Sequence, residues 1–93
     1  MVSSRKLKPR QDVVHTNLQN GEAVLLHLEK AKYYTLNVTA ARIWNLLVEE
    51  KPQSEIVTTL AREFDVDVAR AQKSVEALLK ELEEGGFVVE DGK

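Results

Sequence analysis

The chain contains no cysteine. A disulfide framework, a thiol nucleophile and any zinc site built on thiolates are therefore excluded. Its only two histidines, His15 and His27, do not stand in a metal-ligand pattern, so no metal site and no cofactor is expected. No run approaches the roughly 20 apolar residues that a bilayer crossing needs, so no membrane partner is expected. The basic start, Met1 to Arg10, is not followed by an apolar stretch with a small-residue cleavage site. It does not read as a secretory signal, and the expected compartment is the cytoplasm. There is no Gly-rich phosphate loop. Ser3, Ser4, Ser54 and Ser74 lack the flanking glycines of a nucleophile elbow. The acidic groups Glu49-Glu50 and Glu81, Glu83 and Glu84 fall at expected helix ends, where solvated charge, rather than a paired acid and base, is the expected role. The chain is expected not to be an enzyme.

What is present fits one small folded unit. The 93 residues are 43% hydrophobic and 30% charged, with a formal net charge of −2 at pH 7. This reads as a globular chain with a single modest core and little room for a deep cleft. A strongly basic face, the usual source of nucleic-acid affinity, is missing.

Hydrophobic spacing orders the chain. Residues 1–10, with Arg5, Lys6, Lys8 and Arg10, are expected to be a flexible basic tail, and residues 11–90 a single domain. Val13 to Leu18 is a β-prone run. Asn20-Gly21 follows as a hairpin signal of the type I′ kind, and Glu22 to Leu28 is the returning strand. Val24, Leu26 and Leu28 alternate onto one face of that strand, with Leu25 and His27 on the other. The expectation is burial on one side and partial cover on the second. His15 and His27 are expected to face solvent or be half-buried. A turn over Glu29 to Lys32 leads to a third strand, Tyr33 to Leu36.

Asn37 is placed to cap a helix over Val38 to about Glu49, with Ala40, Ile43, Trp44, Leu47 and Val48 as its apolar stripe. Ser54-Glu55 opens a second helix carrying Ile56, Val57, Leu60, Ala61 and Phe64. Asp67 is placed to cap a third, from about Val68 to Glu84, with Ala71, Val75, Leu78, Leu79 and Leu82 inward. Gly85-Gly86 stops it, and Phe87-Val88-Val89 is a short extended piece able to tuck back against the core. The predicted fold class is α+β: a three-stranded antiparallel sheet followed by three helices, close to a winged-helix plan.

That plan brings a DNA-binding alternative, in which the third helix would enter the major groove. Arg70, Lys73 and Lys80 on that helix face Glu76, Glu81, Glu83 and Glu84, so its balance is unfavourable for phosphate. The sheet offers more. In a three-stranded meander the third strand is an edge with unpaired backbone groups. Tyr33-Tyr34-Thr35-Leu36 carries no proline or inward charge to blunt it. An extended peptide could add there, with backbone bonds giving affinity and neighbouring pockets giving specificity. The third helix could wall the groove through Arg70, Lys73, Ser74, Ala77 and Glu81. Small Ser74 and Ala77 would leave a depression, and Arg70 and Lys73 could pair with acidic side chains.

The segments Gly21-Glu-Ala-Val-Leu-Leu26, Tyr33-Tyr-Thr-Leu-Asn37, Ala41-Arg-Ile-Trp44 with Leu46-Leu47, and Ile56 to Phe64 with Asp65-Val66-Asp67 together resemble the PqqD-like family over about residues 11–90. The later Leu-rich helix to Gly86-Phe87-Val88 extends the likeness. The resemblance implies a recognition element for ribosomally made, post-translationally modified peptides. It implies capture of a precursor's leader segment as an added strand on the third strand, beside the third helix. The binding positions so implied are Tyr33, Tyr34, Thr35, Leu36, Arg70, Lys73, Ser74 and Ala77. It further implies a separate maturation enzyme as partner, a leader peptidase or a radical-SAM enzyme, and the sequence is slightly closer to the free-standing lasso-peptide type.

Overall fold

Strands form where β-prone residues alternate, and the register between them decides which face is buried. The computed structural model describes residues 7–90. Its elements run β1 (Leu7–Pro9), β2 (Val13–Asn17), β3 (Ala23–His27), β4 (Lys32–Leu36), α1 (Val38–Val48), α2 (Gln53–Phe64), α3 (Val68–Glu84) and β5 (Val88–Glu90). β2, β3 and β4 make an antiparallel sheet in that order, and β1 pairs with β5 in a separate antiparallel ribbon. The predicted α+β class, a three-stranded sheet followed by three helices, is the observed one.

The hairpin differs from its prediction in detail. The Leu18 N–H donates to the Glu22 carbonyl at 2.8 Å, and the Gly21 N–H to the Leu18 carbonyl at 3.3 Å. Only Gly21, at φ +90°, takes a positive φ in this turn. This is a three-residue loop closed by a left-handed glycine, not a two-residue type I′ turn. Asn20 instead braces it, accepting the Glu22 N–H at 3.1 Å.

The register then buries Ala23, Leu25 and His27 of β3. Leu28 is exposed and Val24 and Leu26 are only half-buried. One side of this strand is thus buried and the other, with Val24, Leu26 and Leu28, is the outer, partly covered one. Both faces of this strand are apolar, so alternation alone does not rank them. His27 is buried, contrary to expectation: its Nδ1 accepts the Lys30 backbone N–H at 3.3 Å and its ring meets Phe87 edge-on at 5.9 Å.

The helices are stopped and started by their caps. Asn37 accepts the Ala40 N–H at 2.9 Å and Asp67 accepts the Arg70 N–H at 3.0 Å, as their positions suggested. α2 begins one residue earlier than expected, at Gln53 behind Pro52, with no side-chain cap. After α3, Gly86 at φ +80° lets the Phe87 N–H reach back to the Leu82 carbonyl at 2.8 Å and the Gly86 N–H to Glu83 at 3.1 Å. That closure turns Phe87 into the core and launches β5. The core joins Leu25 and Leu36 of the sheet to Ile43, Trp44 and Leu47 of α1, Ile56 and Leu60 of α2, and Val75, Leu79 and Leu82 of α3. On α1 the buried stripe includes Ala41 and Leu46, while Val48 of the expected stripe is exposed. Arg42 clamps α1 to α2 through two bonds to Glu63, at 2.7 and 2.8 Å.

The basic tail read over residues 1–10 does not stay free at its end. Leu7, Lys8 and Pro9 pair with Glu90, Val89 and Val88, and Leu7 is 5% exposed. Residues 1–6 of that reading lie outside the described residues. Residues 7–9 of that reading are thus part of the fold, because one buried leucine has a ribbon partner in β5. Leu7→Ala is expected to cost about 2 kcal/mol of stability, at the low end for a buried leucine because the ribbon is peripheral. Urea unfolding with an unchanged slope checks it; no shift in the midpoint would return residues 7–9 to the tail.

Candidate functional site

In an antiparallel ladder, successive residues turn their N–H and C=O alternately toward the two sides of the strand. Two bonds set the phase here. The Leu28 N–H donates to the Asp12 carbonyl at 2.9 Å and the Leu18 N–H to the Glu22 carbonyl at 2.8 Å. With Val13 opposite His27, these bonds direct the backbone groups of Val24 and Leu26 toward β2. The backbones of Ala23, Leu25 and His27 therefore face β4, where their partners are Leu36, Tyr34 and Lys32. Tyr33 and Thr35 are left with both backbone groups pointing away from the sheet. No strand among the described residues pairs with that edge.

Side chains alternate out of phase with this. Tyr34 and Leu36 point to the helix side, and Tyr33 and Thr35 to the outer face. The Tyr34 ring packs on Phe87, with centroids 5.8 Å apart, and its hydroxyl donates to the Glu81 carboxylate of α3. This bond ties β4 to α3 and marks the helix face that looks onto the strand. At 100° per residue, Arg70, Ser74, Ala77 and Glu81 share that face. All four are exposed, as is Lys73 on its flank. Small Ser74 and Ala77 lie between larger neighbours on this exposed face.

Of the eight sequence-expected positions, Leu36 does not reach the groove: it is 0% exposed and its backbone faces β3. Its hydrophobicity is spent in the core. Tyr33, 73% exposed, lies on the outer face and offers the groove its backbone alone. Glu81 belongs to the site through Tyr34, and its helical phase with Ala77 was the signal for it. Burial and the hydrogen bond to Glu81 push the Tyr34 phenol up to about 12. The neutral phenol is the form held, so this contribution to stability is complete below the ordinary value near 10 and lost as pH rises toward about 12. Glu81→Gln is expected to bring the late tyrosinate absorbance phase down toward 10. A phase that stays near 12 would leave burial as its whole cause.

The outer face of the sheet is the feature sequence reading missed. Cross-strand partners align there in two rows, Val14–Leu26–Tyr33 and Thr16–Val24–Thr35, with exposed Leu28 beside them. Neither row holds a charged side chain, in a chain that is 30% charged. A solvated antiparallel face normally alternates to polar residues, and a contiguous uncharged apolar surface marks an interaction site.

Among the described residues, no group of three or more His, Cys, Asp or Glu could hold a metal ion. No helix among them is long and apolar enough to cross a membrane.

Comparisons with known proteins agree with this fold. The chain is similar, at 31% identity and a TM-score of 0.82, to a solved structure described as TbiB1 in complex with the TbiA(beta) leader peptide, over 92% of this chain and 96% of that one. It is similar, at 26% identity and a TM-score of 0.82, to a lasso peptide synthetase B1 complexed with the leader peptide, over 90% and 98%. No curated protein matches it. The family model described as coenzyme PQQ synthesis protein D, PqqD, matches residues 22–88. With a match across most of its length, the chain belongs to the PqqD family.

Proposed function

We propose that this protein is a non-catalytic, cytoplasmic carrier that captures the leader of a ribosomally synthesised precursor by strand addition to β4 and presents it to a maturation enzyme. The observation that carries the reading is the outward-facing backbone of Tyr33 and Thr35 beside the α3 wall. The two similar solved structures, both complexes with leader peptides, support it. DNA binding finds no support, since α3 carries more anions than cations and no described face is strongly basic.

Two surfaces divide the work. The edge and groove hold the leader through backbone bonds that tolerate sequence. The uncharged outer face, on the other side of the sheet from the helices, stays open while the edge is occupied. It suits the apolar surface of the enzyme, a leader peptidase in a lasso pathway or a radical-SAM enzyme. Titration calorimetry with the synthetic leader of the precursor encoded beside the gene is expected to give a one-to-one complex. Absence of heat with every neighbouring precursor would remove the reading. Leu26→Asp is expected to leave leader affinity within about twofold while lowering enzyme-dependent maturation tenfold or more, because a buried unpaired charge at an interface costs roughly 2–5 kcal/mol. Unimpaired maturation would show that the outer face is not the enzyme's dock.

A further inference from the structure

The groove is not electrically uniform along its length. At the Tyr34 end, the Glu81 carboxylate accepts the Tyr34 hydroxyl, and the last turns of α3 hold Lys80 against Glu81, Glu83 and Glu84 in sequence. At the other end of α3, Arg70 and Lys73 are exposed and make no ion pair among the described residues. With Asp67 and Ala69 they line an open concavity of about 260 Å³. Asp67 is occupied as the helix cap, accepting the Arg70 N–H at 3.0 Å. The two cations are therefore without an ion partner among the described residues, at the start of the α3 face that carries Glu81.

The strand direction gives that charge a place in the guest. The turn before β4 lies at the C-terminal end of α3, since a Cβ built on Gly86 would lie 3.2 Å from the Lys30 Nζ and 3.5 Å from the His27 Nε2. β4 thus runs from the C-terminal end of α3 toward its start. A guest antiparallel to β4, continuing the pairing of the whole sheet, enters at Arg70 and Lys73 and leaves past Glu81. Arg70 stands three helical turns, about 16 Å, before Glu81, and Lys73 about 12 Å before it. At about 3.3 Å per strand residue these spans are roughly four to five guest residues. Alternation makes the groove-facing guest positions those four and six residues before the one opposite Tyr34.

We propose that Arg70 and Lys73 select leaders carrying an aspartate or glutamate four or six residues N-terminal to the leader residue that faces Tyr34. This rests on strand addition to β4 and names the class of peptide that the edge prefers.

The test is a displayed random-peptide selection against the full chain and against Arg70→Glu/Lys73→Glu. Both substituted positions are exposed, so the fold is expected to hold, which circular dichroism checks. Peptides selected by the parent are expected to carry an acid in that interval, and those selected by the charge-reversed variant a lysine or arginine. An individual acidic binder made as a synthetic peptide should lose at least tenfold in affinity for the variant at low salt, with the gap closing as salt rises. Binders that shift the Tyr33 and Thr35 amides yet show the same charge preference with both proteins would overturn the proposal and leave strand addition standing. An acid enriched on the C-terminal side instead would overturn it by reversing the strand direction. Binders that leave those amides unshifted would overturn both.

Discussion

Thr35→Pro is expected to fold like the parent and to bind its leader ten- to a hundredfold more weakly. The Thr35 N–H faces away from β3, so proline at this position removes no bond of the native ladder. Edge positions with outward N–H groups are where sheets tolerate proline. The guest, in contrast, loses a donor, and one of its carbonyls is left buried without a partner, at about 1–3 kcal/mol. The ring also crowds the incoming strand. Each 1.4 kcal/mol is tenfold in affinity. Tyr34→Pro is the control: its N–H faces Leu25, so the same substitution one residue earlier should damage the sheet itself. Calorimetry beside a thermal melt separates the two. Full affinity in a folded Thr35→Pro protein would show that the guest's backbone is not bonded there.

Trp44→Ala is expected to cost about 3–5 kcal/mol, the usual range for emptying a buried tryptophan site. Trp44 is 2% exposed and joins α1 to the sheet, where His15 meets its ring edge-on at 6.3 Å. Domains of this size have roughly 5–15 kcal/mol to lose in total, so the variant should be largely unfolded at moderate temperature. Trp44→Phe should cost less than the lost area suggests. Among the described residues the buried indole Nε1 has no hydrogen-bond partner, and phenylalanine removes that unpaired donor together with its ring. Denaturant melts of both variants check this. Equal losses would mean that the orphan donor carries no penalty.

The helical half was legible because its signals are local. Asn37 and Asp67 cap where their positions indicated, and the Gly85-Gly86 pair stops α3. Of the expected stripe, Ala71, Val75, Leu79 and Leu82 are buried and Leu78 is half-buried. The sheet was legible in order but not in facing. Ala23, Leu25 and His27 compete with Val24, Leu26 and Leu28 for the core, and the contest is decided by a loop of one more residue than a two-residue turn. A slip of one residue exchanges every side chain between faces. Hence the uncharged outer face was hidden; Leu36 entered the groove positions through the resemblance, and its pairing with Ala23 on the buried face takes it out of them. β1 was missed because Leu7 is a lone apolar residue among cations, and its partner β5 is 80 residues away in the chain. Such pairing has no local signature.

Hydrogen exchange read residue by residue, with and without the leader peptide, is the shortest path to the central question. Among the described residues the sheet has two open edges, and parity leaves the amides of His15 and Asn17 outward on β2 just as it leaves those of Tyr33 and Thr35 outward on β4. Leader binding is expected to slow exchange at Tyr33 and Thr35 and to leave the β2 amides unchanged. Slowing confined to His15 and Asn17, or none on either strand, would contradict capture at β4.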